Sequence, residues 1–150
     1  MNRLLVTIGA ILTMALVQVQ AGDDGLGTFN DYTNKAVTQY FAKAINKYKL
    51  SLYSQANIYS AGLKRKNTVM HFLRSKKIPR PLAAALSQKY YLLFVVIAVG
   101  HADIEFKKGG YEAVDKAFND DWEKTNVKLT QQTTYLFGIL LKKFNNQGKK

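Results

Sequence analysis

One short acidic segment holds the first residues that could do chemistry. Asp115, Asp120, Asp121 and Glu123 lie close together, and paired carboxylates can act as acid and base in glycoside hydrolysis. Lys116 and Lys124 lie among these acids in a short amphipathic segment. Nothing in this segment favours a carboxyl group that stays protonated. The better interpretation is a solvated helix face with local ion pairs, so no catalytic residue is predicted.

The two histidines could bind a metal only with additional ligands. His71 and His101 are far apart in the sequence, and neither has a companion at the spacing that metal sites use. The chain has no cysteine, which excludes thiolate metal sites, cysteine nucleophiles and redox pairs. It also lacks a glycine-rich phosphate loop, G-x-S-x-G and H-E-x-x-H. We therefore expect no metal, no cofactor and no enzymatic activity.

The lysines and arginines are more informative, because they cluster beside aromatic and aliphatic residues and give a formal net charge of +12. Charge runs are usually solvated faces, but an excess of this size favours a polyanionic partner. The predicted binding residues are Lys64, Arg65, Lys66, Arg74, Lys76, Lys77, Arg80, Lys107 and Lys108. Beyond residue 21 there are 18 lysines and only three arginines. Nucleic-acid readers more often use arginine, so lipid or glycoprotein is expected and nucleic acid is not.

The N-terminal residues 1–21 have the pattern of a secretory signal peptide. Arg3 precedes an apolar run over residues 4–17, and small side chains occupy Val19 and Ala21. We predict cleavage after Ala21, since the apolar run is too short to span a membrane. Residues 22–150 would then form a single secreted domain.

Apolar residues recur every three or four positions along the predicted mature chain, which indicates helices. From Asn30 the pattern continues through Leu52 and Leu63 toward Lys76. A kink or break near Gly62 is about as well supported as an unbroken helix.

The next helix has the clearest signals. Residues 81–106 begin with proline, which suits the first helical turn, and Lys107-Lys108 suit its C-terminal dipole. Gly109-Gly110 then form a stop. Further helices are predicted over residues 111–124 and 126–145. The expected fold class is all-α, an up-and-down bundle of about five helices with the long helix 81–106 at its centre.

An unbroken apolar run from Tyr90 to Gly100 lies inside this helix. Eleven residues cover about 16 Å of helix, roughly half of a bilayer's hydrocarbon core, which disfavours a transmembrane span. A helix that is apolar on all sides is typical of the central element of a bundle.

The chain resembles the lysin family of abalone sperm acrosomal proteins, which are basic, cysteine-free, secreted helical bundles. The resemblance is carried by Phe72-Leu73-Arg74 and by Leu82, Tyr91 and His101, which fall at the spacing of equivalent lysin residues. It covers residues 48–125. It implies a non-enzymatic protein of the sperm acrosomal vesicle.

One departure from lysins affects the functional expectation. Val95-Val96 stand where lysins carry two arginines, which resembles the fusogenic acrosomal paralog. The resemblance thus implies binding to anionic egg or sperm membranes and promotion of sperm–egg fusion. If the two valines are exposed, they belong to an apolar membrane-contact patch of Tyr90, Tyr91, Phe94, Val95, Val96 and Val99.

Two alternatives stay open. A lysin-type protein would bind egg-envelope glycoprotein and dissolve the vitelline envelope without catalysis. A cationic antimicrobial bundle shares the charge and the amphipathic helices. A homodimer is also left open.

Overall fold

The computed structural model describes residues 23–148, with side chains for residues 34–143. This part of the chain forms four helices and no strand: α1 (Asp23–Tyr48), α2 (Leu52–Ser75), α3 (Arg80–Phe118) and α4 (Trp122–Gly148). The predicted all-α class and the long central helix are therefore confirmed. The count of about five helices is wrong by one. The predicted signal peptide, residues 1–21, lies outside the described residues.

The first break in the chain comes earlier than the sequence indicated. α1 ends at Tyr48, and Lys49 adopts a left-handed conformation with φ 53°. The Ser54 N–H then donates to the Ser51 hydroxyl oxygen over 3.1 Å, an N-cap that starts α2. Gly62, where the sequence left a kink and an unbroken helix equally open, lies inside α2. There a Cβ atom would approach the Tyr91 ring carbons to 2.9 Å, so glycine permits close packing of α2 on α3.

The predicted stop at Gly109-Gly110 is a kink. Both residues leave the helical dihedral range, and Gly110 has φ 70°, a conformation that glycine adopts without strain. The chain then resumes its helix, so the predicted helices 81–106 and 111–124 form one bent element, α3. This is why the structure has four helices where the sequence predicted about five.

The core is built around α3, which contacts the other three helices. Phe94 and Ala98 are completely buried. Polar bonds hold neighbouring helices to the rim of the core: the Gln88 amide donates to the Asn34 side-chain oxygen over 2.7 Å, and the Tyr48 hydroxyl donates to Asp103 over 2.7 Å. These bonds join α1 to the central helix α3 at two points.

The same helix contains an 18-residue stretch that is long and apolar enough to cross a membrane by length and composition. The unbroken apolar run of residues 90–100, taken alone, is too short to span a membrane. However, 78% of this stretch is buried inside the bundle. A core helix of a globular protein has this property, and the burial supports that interpretation.

Candidate anionic-surface interface

The predicted apolar membrane-contact patch lies mostly in the core. Its members Tyr90, Phe94, Val95, Val96 and Val99 are buried, and Val95 and Val96 are only 2% and 1% exposed. Tyr91 is partly buried against α2. The condition for the patch, exposure of the two valines, is therefore not met in the folded bundle, because α3 is enclosed by three helices. These residues could contact lipid only if the bundle opened.

The predicted basic residues fall into two groups. One group lies on α2 and on the turn into α3: Lys64, Arg65, Lys66, Arg74, Lys76, Lys77 and Arg80. All are exposed except Arg65 and Lys66, which are partly buried. Lys107 and Lys108 lie near the opposite end of the straight part of α3, about 40 Å from Arg80 by helical rise. The structure therefore brings seven of the nine together.

The distant pair also has a different electrostatic setting. The Lys107 ammonium lies 2.9 Å from a carboxylate oxygen of Asp103. Hydrogen bonds from Tyr48 and Lys107 lower the pKa of Asp103 below its ordinary value, so this carboxylate is ionised and offsets the lysine at neutral pH. Lys107 contributes less to a positive surface than an isolated lysine would.

The group on α2 has no acidic residue near it in the sequence. Between residues 32 and 102 there are twelve lysines and arginines and no aspartate or glutamate. Among the described side chains, the ion pair Lys107–Asp103 lies beyond this stretch on α3. The 3.7 Å contact of His101 with Glu105 pairs opposite charges only when the histidine is protonated. The clustering of bases was noted from the sequence, but this long absence of acids is the stronger signal, because no acidic residue within α2 offsets its bases.

A row of apolar side chains on α2 faces solvent. Leu52 is 81% exposed and Leu63 is 49% exposed, with Tyr59 at 39% between them. Their spacing is typical of a core-facing side, and sequence reasoning did not identify them as a surface. The core-facing residues are instead Ser54, Ile58, Ala61, Gly62 and Leu73. Small side chains in this set let α2 approach α3 closely, and the larger residues remain outside.

The acidic segment lies where α3 turns into α4. Asp115, Asp120, Asp121 and Glu123 are all exposed, and the Asn119 amide donates to a carboxylate oxygen of Asp115 over 2.9 Å. The exposure fits the predicted solvated face, but the predicted local ion pairs are not found among the described side chains of this segment.

The histidines are far apart in the structure as well. His71 is exposed on α2, whereas His101 is buried and packs edge-on against Phe118. Burial lowers the pKa of His101 below its ordinary value. Within residues 34–143 no group of three histidine or acidic side chains could hold a metal ion.

Sequence reasoning missed one buried cation, Lys89 on α3. It is 4% exposed, and burial lowers its pKa from 10.5 to about 7. Between these two values the unfolded chain binds a proton that the folded chain does not, so the free energy of unfolding should rise with pH across that window.

We expect Lys89→Met to stabilise the protein at neutral pH by roughly 1–4 kcal/mol, since a methionine fits without a buried charge. The gain should shrink as pH rises toward about 10, where Lys89 loses its charge in both states. Urea unfolding from pH 6 to 10 measures this, with exposed Lys43→Met as the control. A difference between wild type and Lys89→Met that did not vary with pH would contradict it.

No protein-family model, curated protein or solved structure matches the chain. The resemblance to lysins rests on the residues named in the sequence analysis.

Proposed function

We propose that the protein is a secreted, non-enzymatic protein that binds anionic membranes and promotes their fusion. The observation that carries the proposal is the positive surface of α2, which has no acidic residue in a 24-residue helix. The setting, an acrosomal protein acting in sperm–egg fusion, comes from the lysin resemblance alone.

Electrostatics supports the first step of this function. Each lysine or arginine near an anionic leaflet contributes about 1 kcal/mol, and the attraction decays within a Debye length. The contributions of several such residues on one helix add, and they favour an orientation with α2 toward the membrane. Lys107 and Lys108 lie on α3 and not on this helix, and the Lys107 charge is offset by Asp103.

The apolar run of α3 has a later role in this proposal. Its valines and aromatic residues are covered by the other helices, so they cannot take part in first contact. They would become available only after the bundle loosens on the membrane, where lipid could replace the neighbouring helices as their apolar surroundings.

Binding to vesicles tests the proposal directly. Cosedimentation with phosphatidylserine-containing vesicles should show saturable binding at low salt. It should weaken at least tenfold between about 0.05 and 0.5 M salt, because screening shortens the reach of the charges. Mixing of lipids between the same vesicles should follow binding.

Neutral phosphatidylcholine vesicles are the control, and they should bind weakly at every salt concentration. Equal binding to neutral and anionic vesicles, or no binding to anionic vesicles at low salt, would refute the proposal. A saturable complex with purified egg-envelope glycoprotein and no vesicle binding would instead favour the lysin-type alternative.

A further inference from the structure

We infer that the outward row of α2 is the part of the protein that enters the lipid interface. The row consists of Leu52, Ala56, Tyr59 and Leu63, with Tyr53 at its border. This inference rests on the proposed membrane binding and identifies its contact surface, which differs from the predicted patch on α3.

The row has the geometry of an interfacial helix face. Leu52, Ala56, Tyr59 and Leu63 follow one another at intervals of four, three and four residues, which align on one side of a helix. They extend over about 16 Å along the axis. Tyr53 borders the row and is 79% exposed. Exposed tyrosines and leucines on one face suit the boundary between lipid headgroups and acyl chains.

The row also has a firm support beneath it. The Tyr59 ring packs edge-on against Phe41 of α1, with centroids 5.1 Å apart. Ile58, about 130° from the row around the helix, and Leu73 near the end of α2 anchor this helix in the core at 1% and 2% exposure. The folded bundle can therefore present these side chains without unfolding.

The charges around the row identify a bilayer as its partner. Lys66 and Arg74 lie within about 60° of the row around the helix, and Lys64 lies about 110° from it. Two copies of the chain joined through this face would bring like charges together, which opposes a dimer. An anionic leaflet has an apolar interior that the row can enter and negative headgroups that the flanking basic residues can contact.

The absence of cysteine allows a direct experiment. Leu52→Cys and Leu63→Cys would each carry a single environment-sensitive nitrobenzoxadiazole label, and Val127→Cys on α4 is the matched control. Val127 is 57% exposed, close to the exposure of Leu63, but it follows the acidic segment. On phosphatidylserine vesicles we expect the fluorescence emission of the label to shift to the blue at positions 52 and 63 and to be quenched by spin-labelled lipid. At position 127 we expect neither change.

Substitutions test whether the row contributes affinity. Leu52→Gln/Leu63→Gln should weaken vesicle binding on the order of tenfold, because two leucines no longer leave water. Val127→Gln/Tyr135→Gln, which changes two exposed apolar residues of α4, should leave the affinity unchanged.

The outcomes separate the two proposals. If wild type binds the vesicles but the label at 63 stays in water, the inference is wrong and the proposed function stands. Equal responses at 63 and 127 would overturn it as well. A blue shift on concentrating the protein without vesicles would make a second copy the partner. If wild type does not bind vesicles, both proposals fail.

Discussion

Val96→Arg is expected to unfold the protein, whereas Leu63→Arg is expected to leave it folded. Val96 is 1% exposed at the centre of α3. An arginine there must either bury its charge, at a cost of several kcal/mol, or force the neighbouring helices apart. A domain of this size has only about 5–15 kcal/mol of stability to lose. Val95→Arg/Val96→Arg, which would introduce the arginine pair found in lysins, should be worse still.

Leu63→Arg provides the comparison on the other apolar row. Leu63 is half exposed, and arginine has nearly the helix propensity of leucine, so the change should cost less than about 0.5 kcal/mol. Far-ultraviolet circular dichroism and urea unfolding measure both variants. Wild-type stability in Val96→Arg would show that this part of α3 faces solvent, and it would restore the predicted lipid patch.

Removing three positive charges from α2 is expected to weaken binding to anionic vesicles about 100-fold at low salt. The variant is Lys64→Gln/Lys66→Gln/Arg74→Gln. At about 1 kcal/mol for each basic residue near the leaflet, the loss is about 3 kcal/mol, which corresponds to two orders of magnitude in affinity. The fold should persist, because the bond from the Arg74 guanidinium to the Ile78 carbonyl is exposed and contributes about 1 kcal/mol at most.

The matched control removes the same charge from another surface. Lys116, Lys124 and Lys128 are exposed and lie among the acidic residues at the turn between α3 and α4. Lys116→Gln/Lys124→Gln/Lys128→Gln should weaken vesicle binding by less than about tenfold, through the long-range field alone. Equal losses in the two variants would mean that net charge, and not the α2 surface, determines binding.

The two apolar rows show how local patterns and packing contribute differently to function. The run over residues 90–100 is the most apolar segment of the described chain, yet α1, α2 and α4 cover it. The less apolar row from Leu52 to Leu63 remains exposed to solvent, on a helix that contains basic residues and no acidic residue. The candidate interface is therefore set by which row lacks a neighbour, and a search for the most hydrophobic stretch does not find it.

Several local features of the protein could be predicted from residue type and spacing alone. Periodicity identified helices, and proline marked the start of α3 to within one residue. Gly109-Gly110 was predicted as a helix stop and proved to be a bend within α3. The large positive charge and the basic group from Lys64 to Arg80 were also readable. These features depend on backbone conformation and on residue type, and both act over a few neighbouring positions.

Which apolar face of α2 is buried depends on its packing against the other helices. α2 has apolar residues on more than one side, and periodicity does not say which side meets a partner. Small residues at Ala61 and Gly62 let α3 pack there, with Tyr91 against Gly62, and this turns Leu52 and Leu63 outward. α3 became the core because three helices surround it, which also buried Val95, Val96 and Lys89. Such choices arise from contacts between residues distant in sequence, where the closest packing removes the most apolar surface from water.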